Sequence, residues 1–325
     1  MTEGIHTKSD KCRICGHADG NEEFIVREMM FGLREEFVYF QCSACRCLQI
    51  RDIPTDMNPY YPSNYYSINT TLPSYGSLRK GLCAIESRVR LGVSNRLFGN
   101  HTRNQRIFDW MRGTHTGRDC AILDVGCGSG KLLYELRNFG FRDLTGADPF
   151  IPASIHHENG IIIHKSELSE LDRKFDLIMM HHAFEHLPNP EATMQDVARC
   201  LRPGRMLLLR IPVIDRYAWR HYGVNWLALD APRHFYLHSE ASIEALAERT
   251  GFKIEKVVYD SGAHQFWGSE QYVRDIPHRS ERSFENNRDA SIFTRRQIKE
   301  YEKRSRELNA AQDGDSACFY LRRYK

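Results

Sequence analysis

Residues 121–130, Ala-Ile-Leu-Asp-Val-Gly-Cys-Gly-Ser-Gly, constrain this chain more than any other stretch. Three apolar residues and then Asp124-Val125 predict a buried strand running into a tight turn, and Lys131-Leu132-Leu133-Tyr134-Glu135-Leu136 restores helical spacing. Glycines at 126, 128 and 130 let the backbone turn sharply and bring its N–H groups against a ligand with no Cβ in the way. Two nucleotide-binding patterns do not fit. The dinucleotide fingerprint G-x-G-x-x-G needs glycine where Lys131 stands. A P-loop needs glycine at the position of Val125 and Ser or Thr at that of Leu132.

The stretch resembles the glycine-rich loop of class I S-adenosylmethionine-dependent methyltransferases, acidic-x-G-x-G-x-G. The resemblance implies that Asp124, Gly126, Gly128 and Gly130 hold the methionine part of S-adenosylmethionine. It also implies that an acidic residue ending the second strand grips the ribose, and Asp148 of Leu144-Thr145-Gly146-Ala147-Asp148 stands at that place. After a third strand at Ile161-Ile162-Ile163, Glu167 and the Leu168 amide take the place of the family's adenine contacts. A fourth strand, Phe175 to Met180, ends in His181-His182-Ala183-Phe184-Glu185-His186. Open α/β sheets bind ligands at the carboxyl ends of their strands, so this histidine cluster borders the site, with His181 on the cofactor side. Glu185 and His186 read more simply as structural contacts at a helix start. The family's Asn/Asp-Pro-Pro-Tyr motif for planar amide or adenine nitrogens is absent, which argues against those acceptors. The expected fold is α/β, a doubly wound, mostly parallel, seven-stranded Rossmann-like sheet whose last strand, Ala317 to Leu321, inserts antiparallel.

Ahead of that domain, Cys12-Arg13-Ile14-Cys15 and Cys42-Ser43-Ala44-Cys45 form two C-x₂-C pairs, which predict a tetrahedral Zn²⁺ site in a small zinc-ribbon-like module. Four sulfurs leave no open position for water, so the metal would be structural, and Cys47 is surplus to it. The expected organisation is a zinc module over 1–55, a linker and helices over 56–112, and the methyltransferase domain over 113–325, with an insertion at about 262–315. Within that insertion, Trp267, Glu270 and Tyr272 are candidates for acceptor contacts.

The long segment from Ile211 to Phe252 carries aromatic and polar residues, among them Asp230-Ala231-Pro232-Arg233-His234-Phe235-Tyr236, and a loop of this length is usually functional. Together with the cysteine pairs it is similar to bacterial deoxysugar C-methyltransferases, which use the histidine of a Glu-His pair as general base. Here His234 keeps the histidine and Arg233 replaces the glutamate, so Arg233 is free to be read as a grip for a phosphate or carboxylate. His234 is the first catalytic candidate, because an imidazole takes up a proton near neutral pH, and His182 is the second.

A formal net charge of +3 and the scattered basic residues do not point to nucleic acid, although an RNA methyltransferase with a zinc module is the first alternative. A protein that binds S-adenosylmethionine without catalysis is the second. The expected partner is a small polar acceptor, a sugar or sugar nucleotide by resemblance, with the oligomeric state left open. No run approaches the ~18 apolar residues of a membrane helix, and Met1-Thr2-Glu3-Gly4 opens polar. The ten cysteines do not form a disulfide framework, so a reduced, cytoplasmic setting is expected.

Overall fold

The computed structural model describes residues 11–62 and 105–324. Its first three strands, β1 (Glu22–Arg27), β2 (Glu36–Gln41) and β3 (Leu48–Ile50), make an antiparallel meander behind the first cysteine pair. The main sheet follows with β4 (Ala121–Val125), β5 (Asp143–Ala147), β6 (Ile155–His156), β7 (Ile162–His164), β8 (Phe175–His181) and β9 (Leu201–Pro212). Then come β10 (Tyr236–Leu237), β11 (Phe252–Tyr259) and β12 (Ser316–Arg323). The spatial order is β11-β12-β9-β8-β4-β5-β7-β6. β5, β7, β8 and β9 run parallel to their neighbours around β4, and β12 is antiparallel to both β9 and β11.

The doubly wound arrangement and the antiparallel last strand are as expected. The sheet has one strand more than the seven expected, because Ile155–His156 folds back antiparallel on β7. Two residues are too short to carry a periodic signal. Leu201-Arg202-Pro203-Gly204 opens β9, where the pairing with β8 shifts register between Phe175 and Leu177.

Buried positions alternate along the central strands. Ile178 and Met180 of β8 join one core cluster with Leu123, Val125, Leu207 and Leu209, while Leu177 and Met179 join another with Ile122 and Leu208. The first face is covered by the helices Pro190–Cys200 and Glu240–Thr250, whose Met194, Val197, Ile243 and Leu246 fill it. The second is covered by Gln105–Thr114 and Lys131–Asn138, through Ile107, Phe108, Met111, Leu133 and Leu136. Both faces are thus shielded, as a parallel sheet requires. Glu240–Thr250 begins at a Ser239 capping box and stops at Gly251, whose φ of +83° is the left-handed conformation of a helix C-cap.

The meander does not close by itself. β10, from the far half of the chain, pairs antiparallel with β3 in the register Tyr236↔Gln49 and Leu237↔Leu48. Cysteine-bearing residues and main-domain residues share one continuous core, in which Cys12, Cys42, Tyr39 and Ile50 lie with Tyr236, Leu237 and Phe235. Of the helices expected within 56–112, the structure describes Gln105–Thr114, and residues 63–104 lie outside the described residues. Among the described residues no helix is long and apolar enough to cross a membrane.

Candidate functional site

The loop between β4 and the helix Lys131–Asn138 is built on three left-handed glycines, Gly126, Gly128 and Gly130, with φ of +69°, +54° and +79°. A Cβ on Gly126 would lie 2.5 Å from the Ala183 Cβ, and one on Gly130 would lie 2.6 Å from Ile163 Cδ1, so backbone conformation and close packing both require glycine there. Under the loop, Asp124 is 3% exposed and its Oδ1 has no hydrogen-bond partner among the described residues. Burial, and next the charge of Asp148, pushes the Asp124 carboxyl up to about 8. Asp148 directly follows β5 beside the loop, accepting from Gly128 N at 2.8 Å and Phe150 N at 2.9 Å. The Phe150 ring beyond it is 72% exposed and stacks on Tyr61, 6.2 Å between centroids.

The other residues expected on the cofactor side are more scattered. Glu167 is exposed and caps the short turn Leu168–Glu170, with its N–H donating to Glu170 Oε2, and Leu168 is buried in the core. His181 turns toward Trp110, 4.6 Å between ring centroids, and neither ring nitrogen has a partner among the described residues. Burial and then Arg210 push its pKa down to about 3, so it is neutral.

The residues expected on the acceptor side come together where the turn Phe184–His186 after β8 meets the loop 226–236. Phe235 N donates to Glu185 O at 2.8 Å, Ile50 N donates to Phe235 O at 3.0 Å, and Tyr39 Oη donates to His234 O at 2.9 Å. One backbone segment is therefore tied both to the cysteine module and to the end of β8. Two residues at its edges, His182 (φ +51°) and Asp230 (φ +45°), hold left-handed conformations that non-glycine residues adopt at a cost.

Hydrogen-bond chemistry fixes the histidine tautomers. A backbone carbonyl only accepts, so His234 Nδ1, 2.7 Å from Ala228 O, must carry its hydrogen, and so must His186 Nδ1, 2.9 Å from Arg233 O. Both Nε2 atoms then bear lone pairs. His182 is different: Arg210 Nη1 can only donate and takes the His182 Nε2 lone pair, which leaves Nδ1–H to donate to Glu185 Oε1 at 3.2 Å. Arg210 is itself held by Asp260 at 2.7 Å, which also accepts from Trp110 Nε1 at 3.0 Å. His182 is thus spoken for, and it orients Glu185.

Glu185 is wholly buried, and its Oε2 has no partner among the described residues. Burial pushes its carboxyl up, but the His182 hydrogen bond and the neighbouring His234 and His186 rings outweigh that and bring it down to about 2. His234 Nε2 lies 3.9 Å from Glu185 Oε1 and 3.8 Å from Asp230 Oδ2. Arg233 does not face a ligand. It is wholly buried, with Nε donating to Asp230 at 3.0 Å, Nη1 donating to Tyr60 O at 3.2 Å, Glu28 at 4.0 Å and the Phe31 ring beneath its guanidinium. The reading of Arg233 as a grip for the acceptor gives way to that of an internal strut.

Glu185, read from the sequence as a structural contact, and Asp230, not singled out there, lie on either side of His234 Nε2. The Glu185-His186 dipeptide at the end of β8 was the available signal. The insertion residues Trp267, Glu270 and Tyr272 are occupied structurally: Trp267 stacks on His278, Glu270 accepts from Tyr222 Oη, and Tyr272 packs with Met29 and Leu227.

At the N-terminal end, Cys12 and Cys45 Sγ are 3.6 Å apart and Cys15 and Cys42 Sγ 3.5 Å, and all four sulfurs lie within 4.8 Å of one another. Ile14 N and Gln49 Nε2 point at Cys12 Sγ, and Cys45 N at Cys42 Sγ, as N–H groups do around sulfurs that carry charge. Cys47 stands apart from the cluster, its sulfur 3.9 Å from His238 Nδ1.

A model of the methyltransferase domain family matches residues 95–257. Among relatives, zebrafish (Danio rerio) EEF1A lysine methyltransferase 2 is 26% identical over 141 residues, 43% of this chain and 55% of the relative. The ubiquinone biosynthesis O-methyltransferase of Aeromonas salmonicida is 26% identical over 181 residues, 50% of this chain and 75% of the relative. The chain thus spans about half the length of the zebrafish protein. Among solved structures, a methyltransferase-like protein of Bacillus halodurans covers 66% of this chain, and is itself 97% covered, at 15% identity and a TM-score of 0.41. With half of the chain matched by one family model, and that match spanning the glycine loop, Asp148 and the histidine cluster, the chain belongs to the methyltransferase domain family of S-adenosylmethionine-dependent enzymes.

Proposed function

We propose that the protein transfers the methyl group of S-adenosylmethionine to a hydroxyl, or a similarly acidic nucleophile, of a small polar acceptor. A sugar or sugar nucleotide is the acceptor class that the resemblance favours, and the O-methyltransferase among the relatives supports oxygen as the nucleophile. The observation that carries the reading is Asp124, a buried carboxylate with an unpartnered oxygen under a glycine loop that admits no side chain. That site fits an amino acid's ammonium group. Asp124 takes the ammonium, and Asp148 the ribose hydroxyls. Glu167 and the Leu168 amide are assigned to the adenine, and His181 closes the cofactor side. The cofactor supplies a methyl already activated on a sulfonium, so the chain's own work is alignment, exclusion of water and disposal of a proton. With no ion beside it, His234 Nε2 accepts that proton, and Glu185 and Asp230 on either side stabilise the imidazolium. The four cysteines of the N-terminal cluster hold one structural Zn²⁺.

Calorimetric titration with S-adenosylmethionine, on wild type and His234→Ala, tests this reading. Equal binding by both, with turnover of the variant lower by about 10²–10⁴-fold on an acceptor found by screening sugar nucleotides, is expected. No binding by the wild type would overturn it.

The same titration has a defined pH dependence. Asp124 holds a proton in the free protein below about 8, whereas an ammonium ligand needs the carboxylate. Binding near neutral pH therefore expels close to one proton, and affinity strengthens by up to about tenfold for each pH unit on the way up to that pKa. Heats that differ between phosphate and Tris buffers by the difference in their ionisation enthalpies would report the proton. Identical heats would remove Asp124 from the ammonium site.

A further inference from the structure

Glu185, His186 and His234 each present one ligand atom, and these atoms lie within 4.8 Å of one another. Each half of the arrangement has a feature that hydrogen bonding inside the protein leaves unexplained. Both imidazoles are locked by backbone carbonyls with Nδ1 protonated, and His234 turns its Nε2 toward Glu185. The Nε2 of His234 sits 3.9 Å from Glu185 and 3.8 Å from Asp230, beyond hydrogen-bond reach of either carboxylate. Glu185 is wholly buried, and while His182 occupies Oε1, Oε2 has no partner among the described residues. A buried carboxylate oxygen without a donor, beside two imidazoles, is a cost in an apo protein. Around a cation they are the expected ligands.

The formal charges agree. Arg233 is paired with Asp230 and Arg210 with Asp260, whereas among the described residues the ion pairs of buried Glu185 involve only the histidines His182 and His234.

We propose that Glu185, His186 and His234 form a binding site for one divalent transition-metal ion beside the methyl-transfer site. Two imidazoles and one carboxylate suit Mn²⁺, Fe²⁺, Co²⁺ or Zn²⁺ rather than the all-oxygen shells of Ca²⁺ or Mg²⁺. Three protein ligands leave positions open, unlike the four-sulfur cluster at the N-terminal end. The hydrogen bonds from Nδ1 to the Ala228 and Arg233 carbonyls serve as the outer shell that fixes ring orientation. Cation binding stands independently of the acceptor; its use in catalysis rests on the methyl-transfer reading above. In that use the ion takes an oxygen of the acceptor into an open position and lowers its pKa, while His234 acts as ligand rather than base. The acceptor O–H bond breaks and its proton leaves to solvent. The oxygen lone pair forms the new bond to the methyl carbon, and the electron pair of the S–CH₃ bond stays on sulfur.

The test is Co²⁺ titration of the full chain, carrying zinc at its cysteines, in the presence of S-adenosylhomocysteine. Wild type should bind one equivalent with visible d–d bands and no thiolate charge-transfer band. Glu185→Gln and His234→Gln should weaken that binding by about 100-fold or more, while zinc content and S-adenosylhomocysteine affinity stay unchanged. Should either variant fail to fold, pulsed paramagnetic resonance of the Mn²⁺-loaded wild type decides, since two bound imidazoles modulate the electron spin echo. Cobalt entering only a thiolate site, variants binding like wild type, or an echo without nitrogen modulation would each overturn the proposal. Failure of S-adenosylhomocysteine to bind would count against the methyl-transfer reading and leave the cation result standing by itself.

Discussion

Arg233→Met should destabilise the protein by about 3–5 kcal/mol, read as a lower midpoint in urea unfolding. Methionine restores the volume but not the charge. In the wild type the guanidinium donates to both oxygens of Asp230, to Tyr60 O, and lies near Glu28, all of them buried. Burial alone pushes the Asp230 carboxyl up, yet Arg233 and then His234 outweigh it and hold it down at about 2. Without the arginine, Asp230 and Glu28 are buried anions with no counter-charge, and at least one must take up a proton or open to water. Glu28 keeps three backbone donors, Phe31, Gly32 and Leu33, at 2.8–2.9 Å, so Asp230 is the group that yields. Arg233→Lys should recover only part of the loss, since an ammonium cannot reproduce the fork that spans both Asp230 oxygens. A change below about 1 kcal/mol for Arg233→Met would show that the strut is dispensable.

Removing the proposed zinc should have the larger effect of the two. Structural zinc contributes on the order of 10 kcal/mol in isolated fingers, as much as the whole stability of a typical domain. Cys42→Ser should therefore yield protein lacking one equivalent of zinc, with amide exchange accelerated through β1, β2 and β3. The same acceleration should extend to residues 234–239, because Tyr39 Oη, Ile50 N and Cys45 O hold His234, Phe235 and Ser239. Strands β4, β5 and β8 should keep their protection, since they are buried on both faces by the main core. Unchanged exchange at 234–239 would mean that the cysteine module does not support the site.

How much of this was legible follows from the range of each interaction. The glycine loop, Asp124 with Asp148 and the paired cysteines are written in short local spacings, and the structure has the glycine loop between a strand and a helix as expected. The apolar run from Phe175 to Met180 likewise announced β8. What it does not carry is pairing across long separations. Asp230 is unremarkable in its own segment, and its importance arises only when the fold sets it against Arg233 and His234. Glu185 looked like a helix-start residue because the histidines that surround it, His182 apart, come from a turn and a distant loop. Arg233 read as a ligand grip for the same reason: nothing in the local sequence announces that Glu28 and Tyr60 will enclose it.

The two-residue strand β10 has a bearing on the order in which the chain assembles. Gln49 and Leu48 wait for Tyr236 and Leu237, so the N-terminal sheet has an open edge until most of the chain has been synthesised. Closing so long a loop is entropically costly and belongs late in folding, after the locally paired strands have formed. A ribosome-bound fragment ending before Tyr236 would hold its cysteines and its meander with a bare strand edge at β3. Completion of that edge and arrival of His234 at the end of β8 are one event, so the cluster of Glu185, His186 and His234 is among the last things this chain makes.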